Sequence, residues 1–213
     1  MINLYSYWRS SAAYRVRIAL NWKGLPYKTI PVHLVNEGGQ QHHSNYKALN
    51  PQELVPTIQL DGMTLGQSMA ILEYLEEHYP ERPLLPADNA ERAAMRAFAL
   101  AIACDIHPLN NLRVLQYLTQ QLGVSDQQKQ QWYSHWVITG FAALEAQLTN
   151  TAGTFCFGDE FSLADVVLIP QVYNANRFNI TLNDFSNISR IYEYCQSIPA
   201  VKNAAPEMQP DAE

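Results

Sequence analysis

Three prolines in close succession, Pro80, Pro83 and Pro86, divide the chain between two kinds of hydrophobic periodicity. Proline removes a backbone donor and fixes φ, so neither a helix nor a central strand runs through such a stretch. Before it, residues 2–5 and 27–32 are short apolar or β-branched runs. Between them lies a helical stripe of Ala12, Val16, Ala19 and Leu20, closed by Lys23-Gly24-Leu25-Pro26. Strand, helix and strand within about 30 residues imply parallel pairing through a right-handed crossover. Residues 57–60 and 63–65 flank Asp61-Gly62, a hairpin turn signal. A helix with Ile71, Leu72, Leu75 and Tyr79 on one face follows, stopped at Pro80. After the prolines the pattern is helical throughout: Met95, Phe98, Ala99, Ile102, Ile106 and Leu109 form one stripe, with a kink expected at Pro108. Trp132, Trp136, Gly140, Ala143 and Leu144 form another. The expected architecture is an α/β domain over residues 1–82, a linker over 83–89 and an all-α domain over 90–213.

Composition narrows the class of function. With 213 residues, 47% of them hydrophobic, the chain has enough material for a substantial core. Its longest apolar run, residues 97–104, is far short of the ~20 residues a membrane span needs. No secretory leader opens it, so a cytoplasmic protein is expected. Cys104, Cys156 and Cys195 are odd in number and widely spaced, and read as reduced, buried thiols rather than a disulfide or zinc framework. The net charge of −6 argues against nucleic acid as a partner. Its distribution says more: residues 1–36 contain no acid but carry Arg9, Arg15, Arg17, Lys23 and Lys28. That is either a solvated basic face or a positive field that attracts a small anion.

Several chemistries are weak in this sequence. There is no dinucleotide fingerprint and no P-loop. Gly66-Gln67-Ser68-Met69-Ala70 approaches a nucleophile elbow, but Ala70 stands where the last glycine belongs and the preceding sheet is small. Ser68 fits better as an N-cap at which a bound carboxylate shares exposed N–H groups. The six histidines show no metal-ligand spacing, so no metal is expected. Ser162-Leu163-Ala164-Asp165 reads as a capping box, with Phe161 and Val166 as a hydrophobic staple. The informative pair is Ser10-Ser11, at the mouth of the first helix. Hydroxyls there donate to an anion where the helix adds about half a positive charge, and a thiolate is one anion such a site favours. Capping alone would also explain serines at this place.

At these residues the chain resembles a known family. The α/β half followed by the all-α half resembles the cytosolic glutathione transferases, whose first domain is thioredoxin-like. Ser10-Ser11-Ala12-Ala13-Tyr14-Arg15-Val16-Arg17 is similar to the zeta class, the class of maleylacetoacetate isomerases. Further matches are Leu54-Val55-Pro56-Thr57, Gln67-Ser68, the block from Asp105 to Asn111, and Pro170-Gln171-Val172 leading to Arg177-Phe178. The zeta signature is commonly Ser-Ser-Cys; here Ala12 takes the third place, so no protein thiol is available there.

The resemblance implies glutathione as cofactor, a small dicarboxylate as substrate and a homodimer. Val55, before a cis Pro56, would pair its backbone with the cysteinyl part. Gln67 and Ser68 would hold the γ-glutamyl carboxylate, Gln41 the glycyl end, and Ser10 and Ser11 the sulfur. His107, Asn111 and Arg113 match family positions near the cofactor or second substrate, and Arg9 and Arg177 are the expected substrate grips. The implied reaction is glutathione-dependent conversion of maleylacetoacetate to fumarylacetoacetate, a step of tyrosine and phenylalanine breakdown. The alternatives are maleylpyruvate isomerisation, general conjugation of electrophiles, or a non-catalytic binding module. The retained serines and Gln67 count against the last.

Overall fold

A computed structural model describes residues 1–213. Burial alternates along β1 (Ile2–Ser6), whose Ile2, Leu4 and Ser6 face inward. Helix α1 (Ser11–Lys23) ends at Gly24, which takes φ 69° without a Cβ penalty. Strand β2 (Tyr27–Pro31) runs parallel to β1, with Leu4 opposite Thr29. A short helix that the sequence did not announce, α2 (Ser44–Leu49), lies in the crossover to β3 (Thr57–Leu60). Asp61 and Gly62, both at positive φ, turn the chain into β4 (Met63–Gly66). The sheet order is β2-β1-β3-β4, with β3 antiparallel to both neighbours. Helix α3 (Ser68–His78) buries Ile71, Leu72 and Leu75, while Tyr79 stands just past its end.

The chain forms two units, Met1–Pro83 with Gln196–Glu213, and Leu84–Cys195. This differs from the expected division in two ways. Residues 196–213 leave the helical part and pack on the first unit, where Arg17 Nε donates 2.9 Å to the Ala204 carbonyl at the end of the last helix. The proline stretch is also not a free linker: Leu84 and Leu85 are buried, and the Leu84 carbonyl accepts from Leu163 N at 2.8 Å.

The second unit holds α4 (Asn89–Leu100), a π-turn (Ala101–Ile106), a 3-10 turn (His107–Asn110), α5 (Leu112–Gln120), α6 (Asp126–Thr151), α7 (Leu163–Arg177) and α8 (Ser186–Cys195). The first unit regains the chain with α9 (Pro199–Ala204). The expected kink at Pro108 is this π-to-3-10 change of register. On α6 the buried stripe is Tyr133, Val137, Phe141, Leu144 and Leu148, displaced from the expected one. The two tryptophans sit beside it, half-buried, and Trp132 Nε1 donates to the Leu109 carbonyl at 2.7 Å. Cys104 is exposed, unlike Cys156 and Cys195, because it lies on the outer side of the π-turn.

Gly140 sets the approach of α6 to that turn. A Cβ there would collide with Cδ1 and Cγ1 of the buried Ile106. Gly140→Ala gains about 1 kcal/mol of helix propensity but overpacks the contact by about 1–3 kcal/mol. A net loss of about 1 kcal/mol is expected in denaturant unfolding. In an Ile106→Ala background the same change should become neutral or stabilising; an unchanged penalty there would place its origin elsewhere.

Candidate functional site

Strand register gathers most of the expected first-unit residues at one end of the sheet. Ser6 pairs with Pro31, Tyr5 with Thr57, and Thr57 with Gly66. The exits of β1, β2 and β4 and the entry of β3 therefore share that end. From it emerge the segments carrying Arg9-Ser10-Ser11, Gln41, Val55-Pro56 and Gln67-Ser68. The N-termini of both α1 and α3 start there too, and neither helix has an acid in its first turn.

Ser10 is the N-cap of α1, its Oγ accepting from Ala13 N at 3.2 Å. The cap uses the oxygen and leaves the hydroxyl proton to donate elsewhere. Ser11 opens the helix and is buried. Arg9 lies beside them with its guanidinium 4.0 Å from the centre of the Trp8 ring. Neither a solvated basic face nor a broad positive field extends over residues 1–36, because three of their five cations are internal. Arg17 is buried and donates to Ser6 Oγ and to the Tyr7 and Trp8 carbonyls. Lys23 pairs with Glu76 at 2.8 Å. Arg15, also buried, donates from Nη1 to Ser68 Oγ at 3.1 Å. That link joins α1 to the start of α3, and it went unread in the sequence. The available signal was its position four residues after Ser11, on the same helical face.

The peptide bond between Val55 and Pro56 is cis, as expected. The segment is held from behind: Leu54 O accepts from Tyr46 Oη at 2.6 Å and Asn50 Nδ2 at 2.9 Å, and Thr57 Oγ1 meets the same two groups at 3.0 Å. The Val55 N–H and C=O take no part in this network. At α3 the N-cap position is occupied by Gln67, at φ 67°, not by Ser68. No side chain caps this helix, because the Gln67 amide turns away to Gln52 Oε1 at 2.8 Å and Ser68 sits one residue too late. Gln41 is buried; its Nε2 meets Leu34 O at 3.3 Å and His42 Nε2 at 3.0 Å, whereas its Oε1 has no hydrogen-bond partner.

The remaining expected residues belong to the second unit. Asn111 is the N-cap of α5: its Oδ1 accepts from Arg113 N at 3.2 Å, and its Nδ2 lies 3.4 Å from His107 Nε2. The Arg113 side chain is exposed. Arg177 ends α7, exposed, 5.0 Å from the centre of the Phe178 ring and 3.4 Å from Asn174 Oδ1. Phe178 is in turn stacked on Tyr133 at 3.9 Å. Burial pushes the Tyr133 phenol up, so it stays protonated. Burial likewise pushes up the Cys156 and Cys195 thiols, which removes both as thiolate nucleophiles. No group of His, Cys, Asp and Glu side chains is arranged to hold a metal, and no helix is long and apolar enough to cross a membrane.

Comparison with known proteins gives this geometry a context. Residues 4–83 match the family described as glutathione S-transferase, N-terminal domain, and residues 127–196 the one described as glutathione S-transferase, C-terminal domain. A probable maleylacetoacetate isomerase of Vibrio cholerae is 54% identical over 98% of this chain and 97% of its own. A solved bacterial maleylpyruvate isomerase, described as a zeta-class glutathione S-transferase in its holo form, has a TM-score of 0.96. It is 43% identical over 99% of this chain and all of its own. A maleylacetoacetate isomerase of Methylobacterium extorquens AM1, solved with malonate and glutathione bound, has a TM-score of 0.94. Its identity is 40% over 99% of both chains.

Proposed function

The chain belongs to the glutathione S-transferase family, in its zeta class, and from that premise we propose that it is a glutathione-dependent isomerase converting maleylacetoacetate to fumarylacetoacetate. The observation that carries the site assignment is the meeting of two acid-free helix N-termini at one sheet end, one lined by hydroxyls and one uncapped. Such an end suits a ligand with a thiolate on one side and a carboxylate on the other.

The residues present fit glutathione. The open N–H groups of α3 and the Arg15-anchored Ser68 suit the γ-glutamyl carboxylate, and the unpartnered Oε1 of Gln41 is an acceptor for the glycyl N–H. The Val55 backbone offers an edge to the cysteinyl part. When bound, glutathione supplies a thiolate that adds reversibly to the alkene carbon conjugated to the substrate carbonyl, so that the former double bond can rotate. Ser10 and Ser11 donate hydrogen bonds that favour the ionised sulfur. Arg9 holds a substrate carboxylate from the first unit; in the second, Arg177 is assigned the same task and His107, Asn111 and Arg113 contact cofactor or substrate. The malonate bound by the Methylobacterium relative supports a dicarboxylate as ligand. The same proposal takes the protein to be a cytoplasmic homodimer. Likeness to the maleylpyruvate isomerase favours one second reading, in which the shorter maleylpyruvate is preferred.

The test is a spectrophotometric assay of both substrates, each with and without glutathione. Turnover is expected only with glutathione and faster on maleylacetoacetate. Full turnover without the tripeptide would overturn the proposal, and a reversed preference would select the second reading.

A further inference from the structure

We propose that Asp211 is a positioning residue: with Glu213 it clasps the two loops that carry Ser10-Ser11 and Gln41, and so preforms the glutathione site. The inference rests on the assignment of that site to glutathione. The C-terminal segment reaches these loops by a defined path. After α9, Gln209 Nε2 donates to Asn203 O at 3.2 Å and Ala205 O at 2.9 Å, closing a turn. Asp211 Oδ2 then accepts from the backbone N–H of Trp8 at 3.0 Å, across a sequence separation of 203 residues. Glu213 Oε1 lies 3.3 Å from His33 Nε2 and 3.3 Å from Asn36 Nδ2. His33 Nδ1 accepts from Val35 N at 3.1 Å and Asn36 N at 2.8 Å, which fixes the turn that Glu213 meets through Asn36.

The two loops are themselves in contact, with the Tyr7 and His33 rings 4.8 Å apart. From within, Arg17 holds the Tyr7 and Trp8 carbonyls and the Ala204 carbonyl with one guanidinium. Asp211 completes this arrangement from outside, on the backbone N–H of Trp8, a donor that the Arg17 guanidinium cannot serve. The two acids contribute unequally. The Glu213 side chain is 59% exposed and its pairing contributes little, whereas the Asp211 bond is partly buried. The second Asp211 oxygen, Oδ1, is buried without a partner, an arrangement unfavourable in itself. Trp8 is two residues from Ser10, so fixing its N–H limits how far the hydroxyls move before glutathione binds.

The experiment compares wild type with Asp211→Ala, Asp211→Asn and Glu213→Ala. Asp211→Ala should raise the glutathione KM about tenfold, the size of one lost charge-assisted hydrogen bond, with kcat at saturating glutathione changed less than twofold. Asp211→Asn keeps an acceptor and should restore KM to within about threefold of wild type; Glu213→Ala should stay within twofold. Amide exchange of Trp8 in the wild-type protein is an independent readout, expected to be slow and slower still with glutathione. A lowered Tm with unchanged KM in Asp211→Ala, or rapid Trp8 exchange in wild type, overturns the clasp. A wild type that binds no glutathione overturns the reading of the site itself, which is a different result.

Discussion

Asp165→Ala should lower stability by about 3 kcal/mol, with glutathione affinity of the folded protein little changed. Its carboxylate is fully buried and accepts from Cys156 N at 2.9 Å, Ser162 N at 2.9 Å and Ser162 Oγ at 2.7 Å. One side chain thus caps α7 and closes the 156–162 loop onto it. Truncation leaves three buried donors without an acceptor, each unfavourable by about 1–3 kcal/mol. The sum is partly offset, because burial holds the Asp165 carboxyl above its ordinary value and that desolvation disappears with the acid. For a chain of this size the net loss corresponds to a fall in Tm of about 6–12 °C. Ser162→Ala removes one donor and keeps the Asp165 bonds to Ser162 N and Cys156 N, so about 1 kcal/mol is expected. Thermal unfolding of both variants decides it; equal, small losses would refute the shared-acceptor account.

The capping box shows why some of this molecule was legible in its sequence. Its partners are three residues apart, and a local rule reads them. The same holds for the β-α-β opening, the Asp61-Gly62 turn and the break at Pro108, each specified within a few residues. What escaped was set by partners distant in sequence. Arg15 reaches Ser68 and Arg17 reaches Ala204, so charge counted along the chain overstated the field available to an anion. The packing of residues 196–213 with the first unit carries no local signal, since α9 reads as one more helix. On α6 the expected stripe through Trp132 and Trp136 lies one residue off the buried Tyr133 and Val137, since periodicity alone does not say which large aromatics face the core. Trp132 keeps its indole N–H on the Leu109 carbonyl. The capping of α3 failed for a geometric reason: a positive φ at Gln67 moves the cap position one residue before the serine.

That uncapped helix and the serines of α1 bear on the largest kinetic effect expected of a single substitution here. Ser11→Ala should lower isomerase kcat/KM by about 10–100-fold at neutral pH, the range for removing one hydrogen bond to an ionised group. Ser10→Ala should add a structural loss of about 1 kcal/mol, because Ser10 Oγ also accepts from Ala13 N. The pH profile separates activation of sulfur from mere positioning. An ordinary thiol ionises near pH ~8.5, and a hydroxyl donating to the anion holds that value lower. Without the donor the ionised fraction at pH ~7 falls, and activity returns as the pH is raised, so the acid limb of kcat/KM should move up by about 1–2 units. Arg9→Ala should behave differently. In the proposed site Arg9 is the charge assigned to a substrate carboxylate, so its loss should raise the substrate KM while leaving the acid limb in place. If both serine variants kept the wild-type profile, the hydroxyls would not be the groups that hold the sulfur ionised, and the N–H groups at the start of α1 would have to do so alone.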